Sequence, residues 1–254
     1  MKMKSNTIFI TGGTSGIGRG LAEAFHNLGN QVIISGRREE NLRQVCSAHP
    51  GMRHFVLDVT DPQSIRHVAA QIAREFPQLN AVFNNAGIQN RQDFSSGRPL
   101  DEKAVLEEIN TNILGVVRVS SEFIPQLAGK PNATLVNVSS GLAFVPLSFF
   151  PIYCATKAFV HSFSLSLRYQ LKGKGIKVVE LVPPYVDTEL GGDPKTASAP
   201  PPGAPQPMPL ATFVADTMKE LAGDTDEVII GEAKNLAAGA GLEGSKKIFA
   251  GMNR

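Results

Sequence analysis

The sequence predicts an α/β protein: a doubly wound, seven-stranded parallel sheet with helices on both faces, built as a single domain. Three observations predict it. Seven short apolar runs (7–11, 31–35, 53–59, 80–84, 133–139, 176–182 and a brief 227–230) are rich in Val, Ile and Leu and poor in charge, as strands buried on both faces are. Helical patterns at 18–28, 38–48, 62–75, 102–127, 151–172 and 210–221 separate most of these runs, and such alternation builds βαβ units whose strands run parallel. A glycine-rich turn joins the first strand to the first helix.

At 254 residues the chain is one large domain or two small ones, at roughly 100–200 residues each. The stretch 191–209, GGDPKTASAPPPGAPQPMP, decides between them. It packs as neither helix nor strand, because proline removes backbone donors and fixes φ. Too little chain follows it for an independent core. Residues 1–254 are therefore read as one domain, with 191–209 a Pro/Ala-rich loop inserted in it. Such loops serve as lids over a substrate site; the alternative is a surface loop with no role.

Composition excludes several classes. Lys and Arg number 25 against 23 Asp and Glu, a net charge of +2, which creates no global field for nucleic acid or acidic membranes. Cys46 and Cys154 are the only cysteines, too few for a disulfide framework, and a reducing compartment follows. Lys2 and Lys4 precede an apolar stretch that breaks at Thr11-Gly12-Gly13, short of the roughly 7–15 apolar residues of a secretory signal. No run approaches the length of a membrane span. A cytoplasmic protein without membrane or nucleic-acid partners is expected. His26, His49, His54, His67 and His161 show no metal-ligand spacing, so no metal is expected.

The turn reads Thr11-Gly12-Gly13-Thr14-Ser15-Gly16-Ile17-Gly18. Its glycines permit close approach of backbone to a ligand. The helix that follows offers free N–H groups and the positive end of its dipole, which suits a pyrophosphate. Strand, turn and helix in that order are the context of a dinucleotide fingerprint. An acidic residue at the end of the second strand would grip a ribose 2′-OH. Gly36 stands there instead, followed by Arg37 and Arg38. Two guanidinium groups suit a 2′-phosphate, which favours NADP(H) over NAD(H); a solvated helix start is the plainer alternative.

Tyr153 and Lys157 are spaced i, i+4 at the start of a predicted helix, so they share one face. Bringing a phenol from its usual pKa to near 7 takes about 4 kcal/mol. An ammonium about 5 Å away supplies roughly 3 kcal/mol, and a helix N-terminus up to about 1 more. A lowered Tyr153 pKa and a role in proton transfer are expected. Cys154 beside it reads as a small buried residue, with an activated thiol as the alternative.

Together these motifs resemble the short-chain dehydrogenase/reductase family, over residues 7 to about 190. The resemblance implies a Rossmann-type fold and a single dinucleotide-binding oxidoreductase domain over 1–254. Gly12, Gly16 and Gly18 match the family's glycine motif, and Asp58 with Val59 its adenine contact. Asn84-Asn85-Ala86-Gly87 matches the motif after the fourth strand. An Asn-x-x-Gly context selects Asn112 over Asn110, and a position thirteen residues before Tyr153 selects Ser140 over Ser139. The implied roles follow. Tyr153 moves the proton, and Lys157 lowers its pKa and holds the nicotinamide ribose. Ser140 binds the substrate oxygen, and Asn112 holds a water. Pro183, Val186 and Thr188 are implied at the nicotinamide. The family's Pro-Gly at this point is here Pro183-Pro184, so the substrate-side wall should differ. Ser140, Leu142, Phe144, Val145, Tyr185 and Leu190 are expected to line it, around a largely apolar carbonyl or alcohol substrate. A homodimer through the helices at 102–127 and 151–172 is implied. The expected function is NADP(H)-dependent hydride transfer to a ketone or aldehyde, with a non-catalytic NADP(H) sensor as the alternative.

Overall fold

The structure, a computed structural model, describes residues 1–190 and 206–241 together with Ile248 and Gly251. The strands are β1 (Thr7–Thr11), β2 (Gln31–Gly36), β3 (Arg53–Val56), β4 (Leu79–Asn84), β5 (Thr134–Val138), β6 (Lys177–Val182) and β7 (Glu227–Ile229). They form one sheet in the order β3-β2-β1-β4-β5-β6-β7, and every pairing is parallel. Strand order reverses between β1 and β4, which opens a crevice beyond their carboxyl ends.

The helices are α1 (Gly16–Asn27), α2 (Glu39–Ala48), α3 (Pro62–Glu75), α4 (Glu102–Ile109), α5 (Val116–Leu127), α6 (Pro151–Leu171), α7 (Leu210–Leu221) and α8 (Ala233–Ala238). Two apolar cores flank the sheet. Ile8 and Ile10 pack with Leu21, Leu42 and Phe213, from α1, α2 and α7. Phe9 packs with Ile65, Phe123 and Leu167, from α3, α5 and α6. Successive side chains of β1 feed opposite cores because a strand alternates its faces. Phe213 is fully buried in the first core.

Two expected elements differ. The third strand stops at Val56. Asp58 turns the chain there: its Oδ1 accepts the Thr60 N–H at 2.8 Å and the Thr60 hydroxyl at 2.7 Å, a local bond that competes with the ladder. The helix expected over 102–127 is broken by a π-helical turn at Asn110–Gly115. Such a wide turn offsets the side chains that follow it. It ends at Gly115, where a Cβ would lie 3.1 Å from Val59 Cγ2.

Of the expected lid at 191–209, residues 191–205 lie outside the described residues. Its far end is anchored. Met208 N–H donates to Tyr185 O at 2.8 Å, and Asp187 N–H donates to Met208 O at 2.9 Å. No helix among the described residues is long and apolar enough to cross a membrane.

Candidate active site

The turn between β1 and α1 lies at the crevice. Gly12 and Gly16 adopt φ of +68° and +52°, a region costly for residues with a Cβ. A Cβ on Gly18 would sit 2.3 Å from both Asn85 Nδ2 and Gly12 O. Thr11 Oγ1 accepts N–H groups from Asn85 at 3.0 Å and Ala86 at 3.1 Å. Asn85 Nδ2 returns a bond to Thr11 O at 2.9 Å. The turns after β1 and β4 are thus locked together, with Gly87 at the end of the second. Asp61 and Asp101 cap α3 and α4 with their side chains, whereas Ser15 makes no such bond at α1. The first N–H groups of α1 are left without a side-chain cap, as a cradle for pyrophosphate requires. A Cβ on Gly16 would touch Thr188 at 3.3 Å, so the loop after β6 lies against this cradle.

Gly36 ends β2 beside the same turn, and a Cβ there would lie 3.2 Å from Thr14 Cγ2. The exposed Arg37 Nη1 pairs with Glu107 Oε1 at 3.1 Å. Arg38 lies within 3.0–3.1 Å of the Asn41 side-chain oxygen, with the amide in its hydrogen-bonding orientation. Asp58 keeps one carboxylate oxygen in its turn with Thr60.

Deeper in the crevice, α6 carries Tyr153 and Lys157, both buried. Lys157 Nζ lies 5.6 Å from the centre of the Tyr153 ring and donates to Val138 O at 2.8 Å. Ser140, just beyond β5, hydrogen-bonds the Tyr153 phenol. Ser139 faces elsewhere: its hydroxyl donates to the buried Glu180, which also meets His161 Nδ1 at 2.8 Å. Asn112, in the π turn, accepts the Ile88 N–H at 2.9 Å and donates to Ile88 O at 2.8 Å and Thr156 Oγ1 at 3.1 Å. A Cβ on Gly87 would lie 3.3 Å from Asn112 Oδ1 and 3.6 Å from Lys157 Nζ. Ser140, Tyr153, Lys157 and Asn112 therefore converge beside the glycine cradle.

Two expectations need correction. Tyr153 is not acidified in the free protein. Burial pushes its pKa above the usual phenol value, and the Ser140 bond offsets only part of that. Desolvation dominates the shift; burial also lowers Lys157 to about 8. The Asn112 amide bonds Ile88 and Thr156, so its side chain grips the loop after β4. Val145 is fully buried and presents no wall to a substrate. Leu142 and Phe144 are half-buried, whereas Tyr185 and Leu190 are exposed. Pro183 O accepts the Gly141 N–H at 2.9 Å, and Val186 is buried. Cys154 is a packing residue: burial raises its thiol, which accepts the Leu147 N–H at 3.3 Å.

The sequence reading missed Glu108. It is fully buried, and its carboxylate accepts Gln92 Nε2 at 2.9 Å and the Asn90 N–H at 3.3 Å. Burial raises its pKa. Its position one turn before Asn112 was the only available signal, since i and i+4 share a helix face. Glu108 and Asn112 hold the segment after Gly87, and the Gln92 N–H ties that segment to Phe149 O at 3.1 Å.

This fold and site define a class. The family model for short chain dehydrogenase matches residues 6–198, and the chain belongs to the short-chain dehydrogenase/reductase family of oxidoreductases. The oxidoreductase DltE of Bacillus subtilis strain 168, itself uncharacterized, is 44% identical over 192 residues, 75% of each chain. Sulfoacetaldehyde reductase 2 of Chromohalobacter salexigens is 32% identical over 204 residues, 77% of this chain and 80% of the relative. A short chain dehydrogenase from Burkholderia cenocepacia J2315, solved in complex with NADP, superposes with a TM-score of 0.83 at 24% identity over 99% of each chain.

Proposed function

We propose that this protein is an NADP(H)-dependent carbonyl reductase acting on a ketone or aldehyde. The observation that carries the reading is the convergence of Ser140, Tyr153 and Lys157 beside a glycine cradle without room for side chains. The cradle fits a dinucleotide, whose nicotinamide supplies hydride to the substrate carbon when bound. Ser140 and Tyr153 hydrogen-bond the substrate oxygen, and Tyr153 gives it the proton. The Lys157 ammonium then stabilises the phenolate that remains, in a crevice where charge interactions are strong. Burial keeps the proton on Tyr153 at neutral pH, so the free protein holds the protonated form that reduction needs.

Arg37 and Arg38, beyond a β2 end without a carboxylate, support NADP(H) through its 2′-phosphate. Leu142 and Phe144 support a largely apolar substrate. The same reading takes 1–254 as one domain of a cytoplasmic enzyme. It also takes the protein as a homodimer, supported by Phe159, Leu165 and Tyr169, which expose apolar surface along α6.

The test is NADPH consumption with a panel of ketones and aldehydes. Turnover with at least one member is expected, and Tyr153→Phe should lower kcat by about 10²–10⁴ with NADPH affinity unchanged. Undiminished turnover in that variant would overturn the proton role. NADPH binding with no turnover across the panel would favour a sensor.

A further inference from the structure

We infer that Glu107 sets the margin of cofactor choice: its carboxylate competes with the 2′-phosphate of NADP(H) for Arg37 and so narrows the preference over NAD(H). The inference rests on the reading that Arg37 receives that phosphate. Three observations carry it.

First, the end of β2 carries no carboxylate to grip a free 2′-OH: Gly36 stands there, and a Cβ on it would lie a tight 3.2 Å from Thr14 Cγ2. A carboxylate nevertheless reaches Arg37 from α4, where Glu107 Oε1 meets Arg37 Nη1 at 3.1 Å. Residues far apart in sequence are thus joined just beyond the end of β2.

Second, Glu107 is oriented by its neighbour. Consecutive helical residues point about 100° apart. Glu108 is fully buried and fixed by Gln92 and Asn90. That anchor sets the rotation of α4, so Glu107 emerges on the side facing Arg37.

Third, the pair is weak enough to yield. Both side chains are about half exposed, at 59% for Arg37 and 45% for Glu107. An exposed ion pair shifts an equilibrium by no more than about fivefold. A phosphate dianion makes the stronger, charge-assisted bond to a guanidinium. NADP(H) therefore displaces Glu107 from Arg37 and leaves two like charges as neighbours. NAD(H) leaves the pair intact and meets neither cost.

The test is titration of the free protein with NADPH and with NADH, followed by reduced-nicotinamide fluorescence at low salt. Glu107→Gln should tighten NADPH by about three- to fivefold and change NADH by less than about twofold. Unchanged NADPH affinity, or equal tightening of both cofactors, would overturn the inference. So would full tightening by Glu107→Gln in an Arg37→Ala background, because the effect would then bypass Arg37. Arg37→Ala alone separates the inference from the reading beneath it. If that variant weakens NADPH and NADH alike, the phosphate assignment fails. If it weakens NADPH selectively while Glu107→Gln does nothing, the assignment stands and the role of Glu107 falls.

Discussion

Lys157 shows how burial alone sets the chemistry of a side chain. Its pKa of about 8 lies below the value of about 10.4 for an unfolded lysine. Between those values the unfolded chain binds the extra proton, so the stability of the free protein rises with pH across that window. Below it the cost of burying the ammonium is fully present. Lys157→Met removes this dependence. Urea unfolding should show the variant gaining most over wild type near neutral pH, with the gap closing toward pH 10.5; a pH-independent gap would disprove the assignment. For Tyr153 the residue types and spacing were legible in the sequence, but the sign of its pKa shift was not. Point-charge arithmetic supplied the ammonium and the helix end, and burial entered only with the packed α6.

Among the elements, the seven strands were legible because parallel strands buried on both faces leave near-continuous apolar runs. The break in the helix over 102–127 was not. A π turn conserves amphipathic character on either side of it, and Gly115 alone marks the site. That break matters because it presents Asn112 to Ile88, while α4 presents Glu108 to Asn90 and Gln92. Glu108 accordingly positions the segment after Gly87. Glu108→Gln should raise KM for the carbonyl substrate severalfold and speed amide exchange at Asn90 and Gln92, with kcat and NADPH affinity held. An equal loss of NADPH affinity would mark a general structural role instead.

For the whole molecule, the dimer proposal rests on α6. Phe159 and Phe163 stack with ring centres 5.7 Å apart, and Leu165 and Tyr169 extend the exposed apolar surface, Tyr169 at 86% exposure. Leu165→Glu with Tyr169→Glu should convert a particle of twice the chain mass into one of single mass by light scattering, at little cost to the fold of the subunit. Wild type at single mass would defeat the dimer proposal. The bridge between Val186 and Met208 has a consequence of another kind. The chain departs after Leu190 and is back in register at Met208, so the two stumps of 191–205 are spliced by the fold itself. Lengthening such an excursion twofold costs only about 0.6 kcal/mol. Inserts of different length can therefore be exchanged at this socket without renegotiating the sheet beneath.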